Sequence, residues 1–411
     1  MAKREFTLED EHHYNRTTAV RWIVSHLMRY PGLPLLMVAA AVVNNVAYGG
    51  IQIYVGRAFD LISQPSWENQ ALLIIAASVL GSAALQGLTG LVRNFAVGFL
   101  AQGIERDARD ELYVSLLGKS QTFHGQQRIG DVMARATNDV RMLNAMFSPG
   151  IMLITDSFMG LVIPMVLMTR LEPRLLLVPL IFTVLLVITV YDYNKRLKPV
   201  SVAQREQYGQ MNARLAESVA GIEVVKANTQ EQQEWSGFAR NARAFRDTYV
   251  RQGIIEARYW PMFVFGFAYA GCLLHGLLLW NRGVITLGEV IAFVGLFNAL
   301  RYPTFMSIWT FNLVQMGLAS AERVLTMIKT ETELDENIEG VAKPVQGEVV
   351  FENVSFAYNG NPVLKDVSFR VQPGETVAIV GQTGSGKTTL TRLINRSFDA
   401  DEGRVLVDGV D

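Results

Sequence analysis

Six stretches almost free of Asp, Glu, Lys and Arg restrict this chain more than any other feature, because a helix needs about 20 apolar residues to cross the hydrocarbon core of a bilayer. Residues 33–56 and 70–92 contain none of the four, and 142–169 contains only Asp156. Residues 175–191 form a shorter but strongly apolar run, 259–281 is clean, and 290–321 is interrupted only by Arg301. A soluble core hides one such helix, not several of spanning length. Composition agrees: 18% of residues are charged, against about 25% in soluble domains.

Charge is segregated rather than absent. Arg106, Arg109, Lys119, Arg128, Arg135 and Arg141 lie between the second and third runs, and Lys195, Arg196, Lys198, Arg205 and Arg214 open the segment between the fourth and fifth. Positive segments remain cytoplasmic, so both long connections and both termini are expected inside, with short outer connections near 63–69, 170–174 and 281–288. The long connections read as helices continuing out of the membrane, as in 204–219, where Leu215 and Val219 keep helical spacing. Ahead of the first run, Val20, Trp22, Ile23, Leu27 and Met28 mix with Arg21, His26 and Arg29, which predicts an amphipathic interfacial helix over about 17–30 with Trp22 and Tyr30 at headgroup depth. The polar, charged start has no cleavable signal pattern.

A net charge of −1 lacks the basic excess of a nucleic-acid binder. The single cysteine, Cys272, excludes an intrachain disulfide and a cysteine metal site. Polar residues inside the apolar runs face a cavity or a bundle interior. Asn298, Arg301, Phe305, Ile308, Asn312 and Gln315 share one face of the last run, and Asn45, Tyr48 and Gln52 share one face of the first. These are the candidate substrate-facing residues. Pro303 is expected to kink the last span.

From Thr330 the character changes. Glu331, Glu333, Asp335, Glu336 and Glu339, then Pro344 and Gly347, mark a linker over 330–346. Residues 349–351, 354–356, 367–371 and 377–380 read as strands. The last leads into Gly381, Gln382, Thr383, Gly384, Ser385, Gly386, Lys387 and Thr388, a complete G-x-x-x-x-G-K-[ST] loop, followed by a helix-compatible run from Thr389 to Asn395. The glycines let backbone amides turn towards phosphates, Lys387 reaches the β- and γ-phosphates, and Thr388 offers its hydroxyl to Mg²⁺.

Phe351-Glu352-Asn353-Val354-Ser355-Phe356-Ala357-Tyr358 and Val363-Leu364-Lys365-Asp366-Val367-Ser368-Phe369 resemble the opening of an ABC ATPase domain. Phe123-His124-Gly125 with Gly130-Asp131-Val132-Met133-Ala134-Arg135, and Glu217-Ser218-Val219-Ala220-Gly221-Ile222-Glu223, are similar to the two cytoplasmic loops of ABC exporters. The resemblance implies a multi-domain membrane protein: an all-α six-helix transmembrane domain (1–329, spans within 33–321) with long cytoplasmic helical extensions. The N-terminal part of an α/β P-loop ATPase domain (347–411) follows.

It further implies ATP and Mg²⁺ as cofactors, held by Tyr358 against adenine and by Gly381 through Thr389, and coupling segments near 122–127 and 219–226 that dock on nucleotide-binding domains. A second half-transporter, identical or not, is the implied partner. The implied activity is ATP-driven export of an amphipathic compound, drug or lipid by alternating access, in a bacterial inner membrane. The family's glutamine loop, signature motif, catalytic base and switch histidine do not precede Asp411. The domain is therefore expected to be truncated, and no catalytic residue is assigned. An ABC-like channel or regulator, or a degenerate half of a heterodimer, are the alternatives. Proton coupling through His275, Asp156 and Glu256 is disfavoured by the P-loop.

Overall fold

A computed structural model describes residues 5–8, 10–331, 340–341, 343–358 and 360–411, apart from the side chains of 307 and 308. Glu333, Asp335, Glu336 and Glu339 of the expected linker, and the Ile308 side chain, lie outside the described residues.

The helices are α1 (Ala19–Leu27), α2 (Gly32–Ile62), α3 (Asn69–Leu117), α4 (Gln121–Gln126), α5 (Ile129–Ala134), α6 (Val140–Ala145), α7 (Met152–Leu171), α8 (Leu177–Ala220), α9 (Ile222–Ala227), α10 (Glu231–Ala257), α11 (Trp260–Asn281), α12 (Leu287–Asn298) and α13 (Arg301–Lys329). Strands β1 (Val349–Tyr358) and β2 (Asn361–Val371), helix α14 (Lys387–Ile394) and strand β3 (Glu402–Val407) complete the order. Five helical stretches are long and apolar enough to cross a membrane, and Leu287–Met306 with Trp309–Lys329 makes a sixth if the pair is one span. The chain divides into two compact units. One comprises Gly32–Gly98 and Phe147–Val314, the other Met1–Pro31, Phe99–Met146 and Gln315–Asp411.

The first unit is helical. Its core joins α7, α8, α11 and α12 through Met168, Phe182, Phe265, Cys272, Phe293 and Phe297. Phe265 stacks on Phe297 at 5.5 Å, and Phe182 meets both edge-on at 5.7 and 5.3 Å, the arrangement aromatic quadrupoles favour. Helix α2 lies against α12 so closely that a Cβ on Gly56 would come within 2.2 Å of the Gly288 carbonyl oxygen, and one on Gly288 within 2.1 Å of the Gly56 oxygen. Thr286 and Glu289 form a capping box at the start of α12. Asp60 of α2 completes the cap, accepting from the Gly288 N–H at 2.7 Å and the Thr286 hydroxyl at 2.6 Å. Helix α12 stops at Asn298, and α13 starts at Arg301. Pro303 thus falls in the first turn of α13, where no N–H is needed, and the bend of 43° follows it, between Leu287–Met306 and Trp309–Lys329. By contrast, Leu73, Ile74, Leu80 and Leu88 of α3 are exposed, as expected of side chains meeting lipid or another chain.

In the second unit α1 is anchored to the charged end of α3. Thr18 caps α1 by accepting from the Arg21 N–H. Trp22, expected at headgroup depth, is only 1% exposed, because its indole N–H donates to Glu111 Oε2 at 2.7 Å. Tyr30 similarly donates to Asp107 at 2.8 Å. The exposed apolar stripe of α1 is Val20, Val24 and Met28. Arg16 also holds Glu111, at 2.6 Å. His26 stacks on Tyr14 at 3.6 Å, and its Nδ1 lies 3.0 Å from the Trp22 carbonyl, which only an N–H satisfies. The unprotonated Nε2 makes no hydrogen bond and faces Glu111 Oε2 at 3.4 Å. Burial pushes this imidazole down to about 4.

The same unit contains a three-stranded antiparallel sheet ordered β2-β1-β3. Two of the expected strands, 349–351 and 354–356, are one strand carrying an irregularity at Asn353, whose φ is 51°. Residues 377–380 do not form the expected strand. Val380 is 87% exposed, and no described strand lies beside the segment to complete the hydrogen-bonded ladder that defines a strand.

Replacing Gly288 by Val should lower the unfolding temperature and folded yield, an overpacking loss of about 1–3 kcal/mol. Gly81→Ala, where a Cβ meets nothing within 4 Å, should be neutral or slightly stabilising; thermal unfolding in detergent compares them. For His26 the unfolded ring binds a proton near its ordinary value of 6.5 and the folded ring only near about 4. The stability it contributes is therefore complete above 6.5 and is lost as pH falls through that window. Protection of the α1 amides, measured as exchange relative to the intrinsic rate at each pH, should fall between pH 6.5 and 4, and His26→Gln should flatten that dependence.

Candidate nucleotide site and membrane cavity

The first candidate site grows from a sharp change of backbone direction. Gly384 and Gly386 both adopt φ of 87°, a left-handed conformation disfavoured for residues with a Cβ. Gly386 caps α14, and a side chain there would strike Leu364 and Val363 of β2. The loop therefore packs on the sheet and delivers Lys387 and Thr388 to the helix N-terminus, whose free amides and dipole favour an anion. Lys387 folds back on the loop, donating to the carbonyl oxygens of Gly381 at 3.0 Å and Gln382 at 2.7 Å. Gln382, Thr383, Ser385 and Thr388 are exposed, whereas Thr389 is buried.

Tyr358, at the end of β1, comes to the same place. Its hydroxyl lies 3.5 Å from Thr389 Oγ1, and its ring meets Phe356 and Phe398 edge-on at 4.9 and 5.3 Å. Leu390 and Leu393 of α14 enter the core beneath. The chain of contacts thus brings Tyr358 and the α14 N-terminus together, although 28 residues separate Tyr358 from Gly386. An exposed glycine cradle, a helix N-terminus and an ammonium with only carbonyl partners fit a polyphosphate.

The second candidate is a cavity of about 710 Å³ inside the helical unit, between α2, α3, α7, α12 and α13. Asn45, Tyr48, Asn298, Arg301 and Phe305 line it, as do Asn44, Gln86, Arg93, Asp156 and Tyr302. Gln52, Asn312 and Gln315 do not: Gln52 fills the space where a Cβ on Gly295 would lie, and Asn312 and Gln315 are exposed farther along α13.

Several wall groups already satisfy one another. Asn298 meets the Tyr48 hydroxyl, and Asn44 donates to the Gln86 carbonyl at 2.7 Å. Arg93 holds Asp156 at 2.6 Å, with both side chains largely buried. The role of Arg93 was missed in the sequence because it sits one residue past the charge-free run 70–92. Glu256, outside this wall, accepts from the Gln252 amide at 2.8 Å.

Between the apolar helices, α4 and α9 occupy the two segments expected to act in coupling. Exposed apolar side chains surround them: Ile129 and Met133 on α5 after α4, and Ile222 and Val224 on α9.

A polytopic helical domain followed on one chain by a P-loop that opens a helix defines a nucleotide-dependent membrane protein. Comparison with known families makes this specific. Residues 35–304 match the ABC transporter transmembrane region and residues 364–411 match the ABC transporter family model; the chain belongs to the ABC transporter family. It is 30% identical to a fatty acid ABC transporter ATP-binding/permease protein of Mycobacterium bovis, covering 88% of this chain and 56% of that protein. It is 26% identical to an ATP-dependent lipid A-core flippase of Syntrophus aciditrophicus, with coverages of 92% and 62%. A multidrug resistance-like ATP-binding protein of Escherichia coli is 28% identical, with coverages of 92% and 64%. The chain thus spans between about half and two thirds of the length of these relatives.

Asp156→Leu should destabilise the helical unit by about 3–5 kcal/mol, because it strands a buried guanidinium. Combining it with Arg93→Met should recover most of the loss, measured as thermal unfolding of both variants in detergent.

Proposed function

We propose that this chain is one half of an ATP-driven exporter which, paired with a second such chain, moves an amphipathic organic compound, drug or lipid across a membrane by alternating access. The observation that carries this reading is the polar-lined cavity inside an apolar helical unit, on a chain that also presents a P-loop at a helix N-terminus. The names of the relatives, which cover fatty acid transport, lipid A-core flipping and multidrug resistance, support the substrate class.

In this reading the membrane domain covers 1–329, a linker 330–346, and the nucleotide-binding domain starts at 347. ATP with Mg²⁺ supplies the free energy of phosphoanhydride cleavage. Residues Gly381 to Gly386 give backbone amides to the phosphates, with Thr389 behind them. Lys387 exchanges its two carbonyl partners for phosphate oxygens, and Thr388 offers its hydroxyl to the metal. Tyr358 meets the adenine. The α4 and α9 regions dock on nucleotide-binding domains and carry their closure into the spans. In this reading that machinery is cytoplasmic and the membrane a bacterial inner membrane; the Lys- and Arg-rich extensions support the orientation.

The test uses the complete transporter in lipid vesicles. ATP hydrolysis stimulated by amphipathic compounds and accompanied by their ATP-dependent movement is expected, and Lys387→Ala should reduce both to background. Hydrolysis without movement of any compound would favour a regulatory role. Tyr358→Ala should weaken nucleotide binding by about 1 kcal/mol, or roughly fivefold, whereas Tyr358→Trp should retain it.

A further inference from the structure

The wall of the membrane cavity carries three formal charges, and they do not cancel. Arg93 and Asp156 are locked together at 2.6 Å. Arg301, at the first position of α13, also lines the cavity, and among the described residues no hydrogen bond or ion pair engages its side chain. One positive charge therefore remains unbalanced. The described hydrogen bonds of its neighbours go elsewhere: Asn298 meets Tyr48, and the Asn44 amide donates to the Gln86 carbonyl.

Arg301 is exposed, and a guanidinium presented to a cavity between apolar helices attracts a group of opposite charge. We propose that the cavity takes amphiphiles with a singly charged oxyanion headgroup, a carboxylate or phosphodiester, and that Arg301 is the residue that binds it. This deepens the exporter reading above and rests on it.

Charge balance sets the preference. A monoanion beside Arg301 brings the cavity to neutrality. A cation faces an unpaired guanidinium, a neutral headgroup leaves that charge desolvated, and a dianion leaves net negative charge beside Asp156. Geometry adds selectivity, since the planar fork of arginine matches two oxygens of a carboxylate or phosphodiester. Phe305 and Met306, one turn farther along α13, offer apolar surface for the start of the chain.

The experiment is equilibrium binding to the complete transporter in phosphatidylcholine nanodiscs. The probes are hexadecanoate, hexadecanoyl lysophosphatidylglycerol, methyl hexadecanoate and hexadecyltrimethylammonium, which share a chain and differ in headgroup. Both anions should bind at least about tenfold more tightly than the ester, equivalent to about 1.4 kcal/mol. A preference for one anion alone would identify carboxylate or phosphodiester as the source. Arg301→Gln should bring anion and ester to parity, and Arg301→Lys should restore part of the difference; thermal unfolding confirms that each variant is folded. Asp156→Asn, by raising the cavity charge, should move the preference towards hexadecyl phosphate. Equal or tighter binding of the ester or the quaternary ammonium, or a preference that survives Arg301→Gln, would overturn the proposal. The exporter reading would still stand if ATP-dependent movement of any amphiphile were lost in Lys387→Ala. Failure of every amphiphile to bind, with no movement lost in that variant, would remove both.

Discussion

Hydrocarbon offers no water to a peptide group, so each backbone N–H and C=O at membrane depth must find its partner within the protein. Most of this chain obeys by staying helical for long distances, as in the 49 residues of α3 and the 44 of α8. The interruption between Asn298 and Arg301 shows what an exception requires. Pro303 brings no N–H, and nearby side chains take up backbone carbonyls instead. Thr304 returns its hydroxyl to the Leu300 oxygen at 2.7 Å, and Tyr259 donates to the Thr304 oxygen at 2.6 Å. The break also borders the cavity, where irregular backbone is tolerated at this depth.

The same scarcity of partners sorts the charges. Within the apolar unit, Arg93 and Asp156 neutralise each other across 63 residues of sequence. At the charged end of α3, Glu111 gathers Arg16 and the Trp22 indole. Trp22 therefore turns inward, and Val20, Val24 and Met28 are left as the apolar face of α1. Both arrangements bury a carboxylate by surrounding it with donors. They differ in that Glu111 also faces an imidazole nitrogen without a proton.

Features written in local sequence were legible before the structure. The apolar runs, the amphipathic first helix and the P-loop each depend on residues within a few turns, and the glycines at 384 and 386 take the left-handed conformation such a loop demands. What escaped depends on distant partners. Residues 377–380 have the β-branched composition of a strand, but a strand is defined by its neighbours, and the described sheet, ordered β2-β1-β3, does not include them. Trp22 has the amphipathic character of an interfacial residue, and only Glu111, 89 positions away, explains its burial. The polar face of the last run was read from helical periodicity, which carries no farther than the 43° bend between Met306 and Trp309. The cavity follows Asn298, Arg301 and Phe305 but leaves Asn312 and Gln315.

The break between Asn298 and Arg301 divides the cavity wall between two helices. Helix α12 is bound to α2 along its length. Gly56 and Gly288 touch backbone to backbone, Asp60 caps the helix start, Gln52 fills the notch at Gly295, and Tyr48 meets Asn298. Sliding one helix against the other would set carbonyl against carbonyl, so the pair resists relative movement. The 43° bend comes only after Met306; residues 299 and 300 belong to neither helix, yet Leu300 is buried in the helical core with Ala299 packed against it. Arg301, Tyr302 and Phe305 lie on the α13 side of that point, opposite the fixed Tyr48 and Asn298 wall. The uncompensated charge therefore sits between the α2–α12 clamp and the bend in α13.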